Sequence, residues 1–299
     1  MAYAFDPADS SFNITNAIYL AHAADVAYLR SPSAVAWERL GLVVYPFRHR
    51  VTRTRGFLGV CDTHAVLAFR GSDPLTLPNW VTDSIVRLVE RDEFDGRVHL
   101  GFSSALKKSW PKLESLLGHV GDRPLFLTGH SLGGALAVLT ACRLAKQDRP
   151  VVATYTFGAP RVGDPTFCDG YNLPTYRVVN RLDLVPEIPL ASLKKLLPKP
   201  STKNEKLLAK LHRAADRVPC YDHVKTLVYI DLDGTITVDA NIEPWTANAV
   251  ARAITTRGKS FLDGVADHLI GNYIRGLQGQ VRGKKSRPRR RDSSSGKSE

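Results

Sequence analysis

The sequence predicts an α/β domain with a mostly parallel central sheet flanked by helices. Three observations carry that prediction. Short apolar runs alternate with segments of helical periodicity along most of the chain. One such junction is sharp: the apolar run 125–127 leads through the string GHSLG at 129–133 into an Ala- and Leu-rich helix from Ala135. Finally, 299 residues with 43% hydrophobic content can bury a substantial core, and no apolar stretch approaches a membrane span.

The elements follow in order. Residues 1–12 read as a loose start, without the basic and apolar regions of a signal peptide. A helix is expected from Asn13 or Thr15 to about Leu29, with Ala17, Leu20, Ala21, Ala24, Ala27 and Tyr28 at helical spacing. Strands follow at 42–47, 56–61 and 65–70. In the segment 75–91, Asn79 can cap a helix on which Val81, Ile85, Leu88 and Val89 share a face. That helix is either a fixed surface element or a mobile lid with a greasy face, centred on Asn79, Trp80, Val81 and Ile85. A loop over 97–102 leads to a helix from about Ser103 to Leu117. After the 125–145 unit come strands at 151–157 and 175–180, then a strand pair at 226–230 and 235–238 turning at Asp233 and Gly234. Helices are expected at 245–255 and from Ser260 to about Leu277. The domain spans 1–277.

Net charge is +12, and it is unevenly placed. The stretch 275–299 holds nine Lys or Arg against two acids, and 194–217 holds eight against two, which leaves the body near neutral. The segment 190–218 reads as an inserted pair of short amphipathic helices with lysine-rich polar faces. The tail 278–299 reads as basic and disordered. These two segments are either solvated faces or patches for an anionic membrane surface. The tail has no interleaved aromatics, which argues against specific nucleic-acid binding. Cys61, Cys142, Cys168 and Cys220 show no C-x-x-C spacing. They read as free thiols of a reducing compartment, hence a cytoplasmic or membrane-peripheral protein with neither zinc site nor disulfide frame.

Chemistry points first to Ser131, the centre of G-x-S-x-G between a strand and a helix. A nucleophile must stand clear of the sheet on a sharp turn, and the flanking glycines leave room for the helix to double back. Leu132 N–H, at the helix N-terminus, is placed to donate to a forming oxyanion. A serine needs a base, and the base an orienting acid. Asp183, in a proline-punctuated loop after the 175–180 strand, suits the acid. Asp164 reads equally well as a helix start. Two histidines compete for the base: His223, before a strand, and His268, near a helix start. Chemistry alone leaves both open.

The chain resembles the class 3, fungal-type lipase family of α/β-hydrolases. The resemblance rests on AFRGS at 68–72, NWVTD at 79–83, VHLGF at 98–102, GHSLGG at 129–134, FGAPRVGD at 157–164 and VNRLDLVP at 179–186. DHV at 222–224 and DHL at 267–269 complete it. It implies an α/β-hydrolase fold and cleavage of lipid esters, of the triacylglycerol lipase or phospholipase A1 kind, without a cofactor. It also implies a Ser131–His268–Asp183 triad, with Ser72 joining Leu132 N–H in the oxyanion hole, the Asn79–Trp80 region as lid, and structural roles for His130, His99 and His223. Lys225 and Thr226 depart from the family pattern after the His223 position, and the insertion and basic tail are atypical.

Two other readings compete. DLDGT at 231–235 mimics a phosphatase motif, but only 64 residues follow it, and a hairpin turn explains the string better. A hydrolase-like binding or signalling module, or a short-chain esterase, would share the fold. The specific ester and the oligomeric state are not written in the sequence.

Overall fold

The strand-forming runs rich in Val, Leu and Phe assemble into one eight-stranded sheet. The computed structural model describes residues 4–29, 38–72, 87–189, 208–210, 213, 219–224, 226–238 and 266–286. The expected lid residues Asn79, Trp80, Val81 and Ile85, nearly all of the 190–218 insertion and the 245–255 helix lie outside them. The strands are β1 (Val43–Arg48), β2 (Arg55–Val60), β3 (Ala65–Phe69), β6 (Leu125–His130), β7 (Ala153–Phe157), β8 (Thr175–Asn180), β9 (Leu227–Ile230) and β10 (Ile236–Val238). They lie side by side in that order. β1, β2 and β3 pair antiparallel, β3, β6, β7, β8 and β9 run parallel, and β9 and β10 close the far edge as an antiparallel hairpin. The hairpin turns through Gly234 at φ 85°, with Asp231 N–H donating to the Thr235 carbonyl, so the DLDGT string is a turn.

Alternating residues of the central strands face two apolar layers, as a sheet covered on both sides requires. Leu67, Phe69 and Leu127 pack with α2 (Leu100–Leu117) and α3 (Leu132–Ala145). Val66, Ala68, Phe126, Tyr155, Val178 and Ile230 pack with α1 (Ile14–Val26) and α5 (Ile270–Ser286). A short α4 (Pro165–Gly170) is capped by Asp164, whose carboxylate accepts the Phe167 N–H and pairs with Arg97 Nε at 3.0 Å. That capping role accounts for Asp164.

Three expected boundaries move. Leu88 and Val89 lie in β4 (Leu88–Glu90), not on a helix, paired antiparallel to β5 (Arg97–His99). Their apolar spacing fitted either period, and cross-strand pairing of Val89 with Val98 decided it. The helix expected from Ser103 begins at Leu100, because His99 caps it: its Nδ1 accepts the N–H groups of Gly101 and Phe102. At the other end α5 runs past Gln278 to Ser286. Ile274 and Leu277 are buried and Val281 packs partly buried beside them, so the helical stripe continues, and Lys, Arg and Gln are good helix formers.

Burial makes two histidines acid-sensitive. It pulls His99 and His64, the latter at the β2–β3 turn, down to about 4 from an ordinary 6.5. A depressed folded pKa means the unfolded chain binds more protons, so stability present above pH 6.5 is lost as pH falls through about 4. Thermal unfolding followed from pH 8 to 4 is expected to show that decline. His99→Asn, which keeps an acceptor for the cap without taking up a proton, is expected to flatten part of it. An unchanged slope in the variant would assign the proton uptake elsewhere.

Candidate active site

The site is built where β6 turns into α3. Ser131 occupies the turn at φ 56° and ψ −131°, a conformation that costs a non-glycine residue on the order of 1–3 kcal/mol. Neighbours hold it there: Ser131 N–H donates to the Phe157 carbonyl at 2.9 Å, and Gly134 N–H to the Ser131 carbonyl at 2.9 Å. The flanking glycines are required by close approach. A Cβ on Gly129 would overlap the Gly133 carbonyl, and one on Gly133 would overlap the Phe69 carbonyl. Leu132 is the first residue of α3, so its N–H lies among the unpaired donors of the helix start. Ser72 follows Gly71, whose position abuts the His130 carbonyl and Ser131 Cβ, which sets the end of the β3 segment beside the turn.

Asp183 sits in the loop after β8, ahead of a 3-10 turn at Val185–Glu187. Its carboxylate is fully buried and receives three donors. Val185 N–H reaches Oδ1 at 2.9 Å, His268 Nδ1 lies 2.8 Å from Oδ2, and the Tyr273 hydroxyl donates to the same oxygen. Burial and the adjacent Asp183 push the Tyr273 hydroxyl well above its usual range, so it remains a donor. The segment bearing His268 is tied to the acid loop. Asn180 Nδ2 donates to the Asp267 carbonyl at 3.0 Å, and Leu182 N–H to the Asp267 carboxylate at 3.2 Å.

Of the two histidines that chemistry left open, His268 is the one bonded to Asp183, and its ring centroid is 4.4 Å from that of His130, next to Ser131. His223 lies elsewhere, where burial, with the charges of Arg177 and Arg161, holds its imidazole well below the usual range. Among the described residues, Ser131 Oγ and His268 Nε2 are both buried without a hydrogen-bond partner. Each therefore keeps its bonding capacity for a reacting group. Among the described residues no cluster of three or more His, Cys, Asp or Glu is arranged to hold a metal. Three contributors escaped the sequence reading: Tyr273, Val185 N–H and Gly158, the residue after β7. Only Gly158 left a local trace, as a glycine directly after a strand.

A class 3 lipase family profile matches residues 66–193, which contain β3, the β6–α3 turn and the acid loop. Over that stretch the chain is similar to the class 3 lipase family. Among its relatives, a Rhizopus niveus lipase is 28% identical over 176 residues, covering 54% of this chain and 44% of that protein. The secreted mono- and diacylglycerol lipase A of Penicillium cyclopium is 32% identical over 155 residues, covering 48% and 49%. The chain thus spans about half the length of these curated relatives, or less. The crystal structure of a lipase from Rhizopus microsporus var. chinensis superposes with a TM-score of 0.61 at 25% identity, covering 86% of this chain and 85% of that one. The family's α/β-hydrolase fold is the architecture described above.

Proposed function

We propose that this chain hydrolyses carboxylic esters of lipids, acylglycerols first among them, through a Ser131–His268–Asp183 triad and an acyl-enzyme. The observation that carries the reading is the strained Ser131 turn, whose preceding residue His130 lies 4.4 Å, ring to ring, from an imidazole bonded to a buried carboxylate. Ser131 Oγ attacks the ester carbonyl while His268 Nε2 takes its proton. Asp183 keeps the proton on Nδ1 and stabilises the imidazolium. Leu132 N–H and Ser72 donate to the tetrahedral oxyanion. His268 then protonates the leaving alcohol, and water repeats the sequence on the acyl-enzyme.

The acylglycerol class is supported by the Penicillium relative, which is named as a mono- and diacylglycerol lipase. A phospholipase A1-type activity is the finer alternative within the same chemistry. The positive charge of 194–217 and 278–299 suits an anionic lipid surface. The placement in a reducing compartment rests on four cysteines without C-x-x-C spacing, against which stands the Penicillium relative, named as secreted.

The test is hydrolysis of p-nitrophenyl esters from acetyl to palmitoyl, with and without anionic vesicles. Ser131→Ala is expected to lower turnover about 10⁴-fold or more. Serine-dependent turnover that favours long chains and rises with vesicles supports the lipid reading. Turnover confined to short chains identifies a short-chain esterase. No serine-dependent turnover on any ester identifies a binding module.

A further inference from the structure

His130, the residue before the nucleophile, is engaged at both ring nitrogens. Its Nε2 lies 2.5 Å from the main-chain carbonyl of His268, and its Nδ1 lies 2.7 Å from the Tyr28 hydroxyl. The directions of these bonds follow from the groups themselves. A carbonyl only accepts, so Nε2 carries the proton. The ring is fully buried, and that burial, together with nearby His268, holds it well below the usual histidine range, so it is neutral. Nδ1 is then a lone pair, and the Tyr28 hydroxyl must be the donor. Tyr28 follows α1 and lies against Gly71 of the β3 segment, with the Arg70 guanidinium 5.4 Å from its ring centre. A single directed chain therefore runs from Tyr28 through His130 to the backbone of His268.

We propose that Tyr28 and His130 are positioning residues for the base: Tyr28 fixes the His130 tautomer, and His130 fixes the main chain of His268. The inference rests on the reading of His268 as general base. Asn180 and Leu182 tether the segment one residue earlier, at Asp267, and Asp183 holds the His268 ring, while the His268 carbonyl is the group that His130 holds. Without the Tyr28 donor, the Nδ1–H tautomer of His130 becomes accessible. It would turn a lone pair towards the His268 carbonyl and push the base away from Ser131. A shift of this kind lowers the rate of chemistry more than the binding of substrate, because only the reacting geometry changes.

The test is a double-mutant cycle on Tyr28→Phe and His130→Phe, read as kcat and KM on a p-nitrophenyl ester, with Tm measured alongside. Each single variant is expected to lower kcat about tenfold with KM within a factor of about two. The double variant is expected to be no slower than His130→Phe, since both act through one chain. His130→Gln, whose amide can donate to the His268 carbonyl and accept from Tyr28, is expected to recover most of the loss. The inference is overturned if the two effects on kcat multiply, if His130→Gln is as slow as His130→Phe, or if kcat follows Tm alone. His268→Ala in the same assay separates the two levels. An inactive His268→Ala beside a fully active His130→Phe defeats only the positioning role, and an active His268→Ala defeats the base assignment beneath it.

Discussion

His268→Ala is expected to abolish ester turnover, while His223→Ala keeps a measurable fraction. The two histidines look alike in sequence, each in an Asp-His pair near a late element. They differ in what surrounds them. His268 places Nδ1 2.8 Å from the buried Asp183 carboxylate. His223 is buried beside two guanidiniums, Arg177 and Arg161, which disfavour a proton on its ring. Removing the base of a triad costs about 10⁴- to 10⁶-fold in kcat. Removing His223 should cost mainly stability, through the space it leaves beside Arg161, which is itself paired with Glu187 at 2.7 Å. Measuring kcat/KM for both variants with circular dichroism as a folding control decides the matter. A folded His223→Ala protein as inactive as His268→Ala would overturn the assignment.

The second large effect is expected at Gly158, which touches no substrate. It has φ 60°, where an alanine is strained by about 1 kcal/mol. The larger penalty is steric. A Cβ there would lie 2.6 Å from Asp183 Oδ2, 2.8 Å from the Tyr273 hydroxyl and 2.9 Å from His268 Nδ1, the three atoms of the acid–base network. All three belong to buried side chains, so relief requires them to part. Gly158→Ala is expected to lower kcat about 100-fold, as displacements of ~1 Å do, with a smaller change in KM. A variant with unchanged kcat would show that the network tolerates expansion at its centre.

The difference between these two predictions reflects what a sequence can express. The β6–α3 turn was legible because its demands are local: close backbone approach writes glycines at fixed offsets from Ser131. The parallel sheet was legible for a similar reason, since apolar runs and the helices between them are periodic. Leu88 and Val89 were misplaced because their spacing fits a helix, and only pairing with β5 shows otherwise. Chemistry alone could not choose between His223 and His268, because the choice depends on a contact 85 residues apart in the chain. Tyr273 and Tyr28 left no local sign at all. An aromatic at helical spacing looks the same whether its hydroxyl meets water or a buried carboxylate.

The packing of α5 against α1 bears on the order in which the protein becomes active during synthesis. The Ser131 turn, the proposed nucleophile, lies between β6 and α3, near the middle of the chain, and Asp183, the proposed acid, follows after β8. The imidazole arrives with the segment that enters α5, whose seat includes the first helix of the chain. With His268 as the base, a nascent chain that has already folded its central strands holds a strained serine with nothing to take its proton. On the proposed triad, turnover requires α5 to be seated on α1, so the last described helix and the first complete the site together.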